Sequence, residues 1–131
     1  MSNFRFHKEE RLCSRKLIEK VLKDGRSIVN HPFRLKWVKA ELNTKYPAQV
    51  ALSVPKKNFN RSVDRNRVKR LMREVYRKNK SKFYETLSGQ QIQCAILLGY
   101  IGKTIPDYAE VEKSLLLTLQ RFEENIVAGS R

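Results

Sequence analysis

Apolar positions along the 131-residue chain follow two periods, and the switches between them mark out its elements. Leu17, Ile18, Val21 and Leu22 recur at helical spacing after Ser14, a residue suited to capping a helix start, and Gly25 supplies a stop. A short amphipathic helix is expected there. Within residues 27–40, Phe33, Leu35 and Trp37 alternate with Arg34, Lys36 and Val38, the period of two that predicts a strand with dissimilar faces. Residues 49–54 (QVALSV) predict a second strand, stopped by Pro55, and Asn43, Thr44 and Pro47 between the two suit a hairpin loop. Ser62 is the candidate cap of a long helix running to about Lys80, in which Val68, Leu71, Met72 and Val75 form a core stripe. Residues 92–100 (IQCAILLGY), closed by Gly102 and Pro106, are short and continuously apolar, which predicts a buried strand. Asp107 with Glu110 resembles a capping box and opens a last helix whose Val111, Leu115, Leu119, Phe122 and Ile126 share a face. The order α-β-β-α-β-α describes an α/β sandwich with a small mixed or antiparallel sheet. Residues 1–11 mix charge with two phenylalanines without a sustained period and are expected to form an extended arm; residues 128–131 are expected to be a disordered tail.

Composition narrows what such a domain does. A hydrophobic content of 40% suffices for one compact core, so a single domain over residues 1–131 is expected. The formal charge of +15 calls for phosphates or anionic lipids as counterparts, with nucleic acid first. No run approaches the ~18 apolar residues of a membrane span, and residues 1–11 are too charged for a secretion signal, so a cytoplasmic protein without a membrane partner is expected. Cys13 and Cys94 lie far apart without a CxxC companion; neither a zinc site nor a disulfide framework is indicated, and both are expected as small buried residues.

The charge is concentrated. Between Lys56 and Lys82 twelve cations stand against Asp64 and Glu74, whereas the last helix is acidic on balance. At about 100° per residue, Asn66, Lys69, Arg70, Arg73 and Arg77 fall on the side of the long helix opposite the core stripe. A helix that is merely solvated would interleave Glu and Lys at i,i+4. Repeated arginine, with forked guanidinium groups that contact phosphates through two bonds and stack on unpaired bases, points instead to RNA.

These residues carry a family resemblance. The stretch 62–77 (SVDRNRVKRLMREVYR) resembles the signature helix of the bacterial ribonuclease P protein family, with its R-N-R, K-R and R-E elements in register. Upstream, residues 52–57 (LSVPKK) resemble the family's L-S-V-x-K-K strand end, and Gly25-Arg26-Ser27 with Phe33 resembles its G-x-S and following aromatic. The resemblance implies a two-layer α/β (α+β) sandwich of order α-β-β-β-α-β-α, akin to a ribosomal-protein domain, with a left-handed β-α-β crossover around the signature helix. One strand more than periodicity counts is then required, from a split of residues 27–40 or from the start of that segment. It further implies an accessory subunit of an endoribonuclease that removes the 5′ leader of precursor tRNA, one protein copy acting with one catalytic RNA whose magnesium ions do the chemistry. Carried over residue by residue, the catalytic-RNA contacts would be Lys56, Lys57, Arg61, Arg65, Asn66, Arg67, Lys69, Arg70, Arg73 and Arg77. A cleft between sheet and first helix would take the single-stranded leader, with Ile18, Leu22, Phe33, Arg34, Lys36 and Ser53 as its lining. This chain departs from the family pattern in two places: residues 57–62 lack the usual glycine before the signature helix, and Ile18 and Leu22 stand where many relatives carry phenylalanine.

Other readings are weaker. His7 and His31 sit in no ligand-spaced motif, and the adjacent pairs Glu9-Glu10 and Glu123-Glu124 diverge too much to act as paired acids. There is no Ser/His/Asp arrangement and no phosphate-binding glycine loop, so the protein alone is expected to be inactive as a nuclease, with no catalytic or metal-binding residue of its own. Phe33 and Trp37 share a strand face with Leu35 and are also candidates for the core. A structural ribosomal protein would share the fold and the basicity, while a duplex DNA reader would need a second short helix and turn that the pattern lacks.

Overall fold

The computed structural model describes residues 6–129. Its elements are α1 (Arg15–Asp24), β1 (Arg26–Asn30), β2 (Phe33–Lys39), β3 (Ala48–Ser53), α2 (Ser62–Gly89), β4 (Cys94–Tyr100) and α3 (Tyr108–Gly129). A 3-10 turn at Lys8–Glu10 precedes them, so part of the expected arm is ordered onto the body, and α3 runs on through two residues of the expected tail. The remaining ends of arm and tail lie outside the described residues.

The Ser14 side chain accepts the Leu17 N–H at 3.3 Å and starts α1 as expected. Gly25 ends it for a reason of space. Its φ of −70° suits any residue, but a Cβ there would overlap the Val21 carbonyl, to which the Gly25 N–H donates. Residues 27–40 are two strands, not one: β1 and β2 pair antiparallel, Arg26 opposite Trp37 and Asn30 opposite Phe33, through a turn that contains a cis His31-Pro32 bond. The alternation of Phe33, Leu35 and Trp37 belongs to β2 alone.

The expected hairpin between this segment and residues 49–54 does not form. The sheet order is β1-β2-β4-β3, with β4 inserted antiparallel to β2 and parallel to β3. Burial explains the insertion, because Cys94, Ala95, Ile96, Leu98 and Tyr100 are all buried and a strand apolar on both faces belongs in the middle of a sheet. Residues 40–47 are therefore a crossing connection. The Gln93 side chain holds it, accepting the Leu42 N–H at 2.9 Å and donating to the Thr44 and Tyr46 carbonyls at 2.9 and 3.0 Å.

Helices α2 and α3 cover one face of the sheet, where Phe33, Leu35, Trp37, Val50, Ile96 and Leu98 meet Val68, Met72, Val75, Phe83, Leu115 and Phe122. On the opposite face α1 covers only part of the sheet, with Leu12, Val21 and Ala95 at the centre of a smaller cluster that Ile18, Val38 and Leu97 flank. The expected capping box of α3 is present: Glu110 N–H donates to Asp107 Oδ1 at 2.8 Å, and Asp107 N–H to Glu110 Oε1 at 3.1 Å. Two expectations for α2 fail. Arg61, not Ser62, is its N-cap, and no side chain caps it there. The helix also passes Lys80 and ends nine residues later, because Phe83 and Leu87 continue the buried stripe across a turn that Lys80 itself fills.

Candidate nucleic-acid interface

The outer side of α2 presents cations as its periodicity predicts. Arg61, Asn66, Arg67, Arg70 and Arg73 are exposed and Lys69 is half-buried, while Val68, Met72 and Val75 point into the core. Two arginines are already engaged. Arg65 turns back from the ridge and donates to the carbonyls of Phe59 at 2.6 Å and Asn60 at 3.2 Å, so it orders the segment ahead of the helix in place of a side-chain cap. Arg77 pairs with Glu74 at 2.5 Å, and this hydrogen bond holds the Glu74 carboxyl below its ordinary value. Lys78 adds a looser contact to Glu74 at 3.6 Å.

A second basic surface lies on the sheet face that α1 leaves open. Strand register places Val29, Arg34, Gly99 and Ser53 side by side in one row across β1, β2, β4 and β3, and Ser27, Lys36, Leu97 and Ala51 in the next. Gly99 leaves the floor bare between Arg34 and Ser53; a Cβ at that position would lie 3.2 Å from Ser53 Oγ. The wall is α1, with Ile18 half-buried against the sheet and Leu22 55% exposed. Lys36 ties wall to floor by donating from Nζ to the Leu22 carbonyl at 3.2 Å. Arg34, Lys36, Ser53, Ile18 and Leu22 thus come together. Phe33 does not: contrary to the expectation that it lines the cleft, alternation turns its fully buried side chain into the α2/α3 core, where it meets Tyr100 edge-on.

At the Arg34 end, the groove runs into a cavity of about 680 Å³ lined by Arg34, Pro55, Lys57, Asn58, Ile101 and Lys103. Lys57 therefore belongs with Arg34 rather than with the α2 ridge, and Lys56 is exposed beside it. Asn58 fixes the two loops to each other, donating from Nδ2 to the Ile101 and Gly102 carbonyls at 3.3 Å. The Tyr100 hydroxyl donates to the Thr104 carbonyl at 2.7 Å and holds the turn that carries Lys103. Sequence reading missed Asn58 and Lys103. The signal was available, since Lys103 follows the carboxyl end of the most apolar strand, and ligands of open sheets with parallel strands gather at such ends. The cavity contains three cations and no carboxylate, which suits phosphate oxygens.

Of the two cysteines, Cys94 is buried as expected, whereas Cys13 is exposed because it precedes α1 outside the packed face. Among the described residues, no three His, Cys, Asp or Glu side chains are grouped to hold a metal, and no helix is long and apolar enough to cross a membrane.

Comparison with known proteins agrees with this architecture. The protein component of ribonuclease P from Porphyromonas gingivalis is 34% identical over 98% of this chain and 94% of its own length, and that of Chlorobium phaeobacteroides is 35% identical over 77% and 76%. The solved ribonuclease P protein of Thermotoga maritima superposes with a TM-score of 0.64 at 26% identity, covering 86% of this chain and 96% of that one. The Staphylococcus aureus protein superposes with a TM-score of 0.67 at 22% identity over 87% and 95%. The Ribonuclease P family model matches residues 6–123, nearly the whole described chain, and the chain accordingly belongs to the ribonuclease P protein-component family.

Proposed function

We propose that this chain, an accessory subunit of the endoribonuclease that processes tRNA 5′ ends, divides two RNA-binding tasks between two surfaces. The outer side of α2, through Arg61, Asn66, Arg67, Lys69, Arg70 and Arg73, binds the catalytic RNA. The open sheet face, through Arg34, Lys36, Ser53, Ile18 and Leu22 with the cationic cavity at its end, takes the single-stranded 5′ leader of precursor tRNA. The observation that carries this reading is the row Arg34-Gly99-Ser53: a bare floor flanked by a cation and a hydroxyl, on the opposite face of the sheet from α2. Phosphate contacts on one face position the protein on its RNA, and the other face remains free for substrate. Residues 55–61, with Lys56 and Lys57, connect the two.

In this reading the magnesium ions are held by the RNA, and one cytoplasmic copy of the protein joins one RNA. The protein contributes fixed cations that lower repulsion between catalytic RNA and leader, an effect largest when magnesium is scarce. The test is reconstituted cleavage of precursor tRNA at low magnesium. The combination should cleave efficiently, the RNA alone slowly and only at high magnesium, and rigorously RNA-free protein not at all. Cleavage by the protein alone, or no gain on adding it to the RNA, would contradict the proposal.

A further inference from the structure

The three cations that wall the cavity at the Arg34 end of the groove come from three separate segments. Arg34 belongs to β2, Lys57 to the turn after β3 and Lys103 to the turn after β4. All three are exposed, and among the described residues none of them has an ion-pair partner. Like charges around one opening repel, and two of the carriers are turns, whose own backbone is the least constrained part of a fold. Whatever fixes those turns fixes the spacing of their cations.

Asn58 does so from both ends. Its backbone N–H donates to the Pro55 carbonyl at 3.2 Å and closes the turn that carries Lys57. Its side chain then crosses to the other turn, where Nδ2 donates to the Ile101 and Gly102 carbonyls at 3.3 Å, immediately before Lys103. Among the described residues these are the only hydrogen bonds between the two turns. Two facing carbonyls require two donor hydrogens from one atom, which a side-chain amide has and a carboxylate or hydroxyl lacks. The Lys103 turn is braced independently against the start of β2, because the Ile101 N–H donates to the Pro32 carbonyl at 2.7 Å. Gly102 lets the Tyr100 ring close over it, since a Cβ there would lie 2.5 Å from the Tyr100 hydroxyl oxygen. With that turn already fixed to the sheet, the Asn58 amide is what brings the Lys57 turn into register with it.

We propose that Asn58 is a positioning residue for the substrate: it holds Lys57 and Lys103 at a set spacing around the opening that Arg34 shares, so that one leader phosphate meets all three cations. A phosphate received this way gains its contacts without the cost of ordering two turns on binding. The role rests on the two-surface reading, which gives this end of the groove to the leader.

The holoenzyme's preference for precursor over mature tRNA, measured by equilibrium binding, reads the effect. Asn58→Leu nearly keeps the side-chain volume and removes both donors, and Asn58→Ala removes the amide altogether; neither alters the charge. Each should cut the preference about tenfold, with affinity for the catalytic RNA and circular dichroism as controls. The decisive comparison repeats Asn58→Leu in a Lys57→Ala/Lys103→Ala background. A positioning residue then has nothing left to place, and the substitution should cost no further preference, whereas a merely structural role would subtract the same factor in both backgrounds. Full preference in the folded Asn58 variants, or equal loss with and without the lysines, would overturn the role. Lys57→Ala and Lys103→Ala, separately and together, give an arm that does not depend on the Asn58 variants folding. Lysines held on one phosphate should lose less together than the product of their separate losses; strictly independent losses would overturn the role as well. A natural holoenzyme that binds both tRNAs equally would overturn the two-surface reading and the ligand with it, a failure visible before any variant is made.

Discussion

The ammonium group of Lys80 meets the carboxylate of Glu10 at 2.5 Å, and both side chains are withdrawn from solvent, 4% and 0% exposed. Seventy residues separate them in sequence. The Tyr84 hydroxyl donates to the same carboxylate oxygen at 2.6 Å, and Tyr76 lies against Tyr84. The other oxygen accepts the His7 backbone N–H at 2.7 Å. The N-terminal turn is thereby fastened to the middle of α2. Removing one partner of such a buried pair strands the other charge, so Lys80→Met should lower stability by about 3 kcal/mol, read as a reduced urea midpoint. The double variant Glu10→Gln/Lys80→Met should cost less than Lys80→Met alone; an equal or greater loss would show that the pair is not coupled.

The α2 ridge separates into two kinds of arginine. Arg67, Arg70 and Arg73 are exposed, so alanine at all three should leave circular dichroism unchanged and flatten the dependence of log K on log salt by roughly 0.7 to 0.9 for each phosphate no longer neutralised. Arg65→Ala should behave differently, loosening the segment at Phe59 and Asn60 and lowering thermal stability as well as RNA affinity. Equal stability and equal RNA binding in Arg65→Ala and the natural protein would remove its assigned role.

Lys36 both caps the end of α1 and faces the open groove. Lys36→Ala should lower the holoenzyme's preference for precursor over mature tRNA and reduce stability only slightly, by about 0.5–1 kcal/mol. Ile18→Phe should make the preference less salt-sensitive, since an aromatic face adds ~1 to 3 kcal/mol per stacked base that screening does not remove. Equilibrium binding of both tRNAs across a salt series tests this; identical curves for the natural protein and both variants would reject the groove as the leader site.

Burial pushes the Cys94 thiol up to about 12. In native protein a thiol reagent near neutral pH should label Cys13 and spare Cys94, and both should react after denaturation. The sign of the linked stability follows: Cys94 stays neutral when folded but ionises near its ordinary value when unfolded. Its contribution is intact below the unfolded value and declines as pH rises toward 12. Mass spectrometry of the labelled chain locates the reacted cysteine.

Local patterns were legible in the sequence wherever one element decided them. The Ser14 cap, the Asp107/Glu110 box, the core stripe of α2 and the opposing basic ridge all depend on neighbours within a turn or two. Strand order did not. Nothing in residues 40–47 announces that β4 will enter between β2 and β3, because the pairing is decided by which strand is apolar on both faces once all are present. The full length of α2 is hidden in the sequence for a related reason: Lys80 reads as a surface cation until Glu10 arrives to neutralise it. For Phe33 the resemblance implies the cleft and alternation with Arg34 implies the core, and alternation decides where the side chain points.

The N-terminal arm also closes a border. In the order β1-β2-β4-β3 the outer side of β3 is an open rim of peptide groups, and Arg11 pairs in parallel with Val50 there, while the Leu12 N–H donates to the Val50 carbonyl at 3.1 Å and Gln49 reaches the Glu9 carbonyl at 3.0 Å. An unguarded rim recruits strands from other molecules. At low ionic strength a charge of +15 already keeps copies of the chain apart. In the concentrated salt that strips RNA from such a protein, the Debye length falls to about 3 Å and that repulsion disappears. The arm then becomes the barrier to self-association, and a chain lacking residues 1–12 should stay dispersed in dilute buffer but polymerise or precipitate as salt is raised.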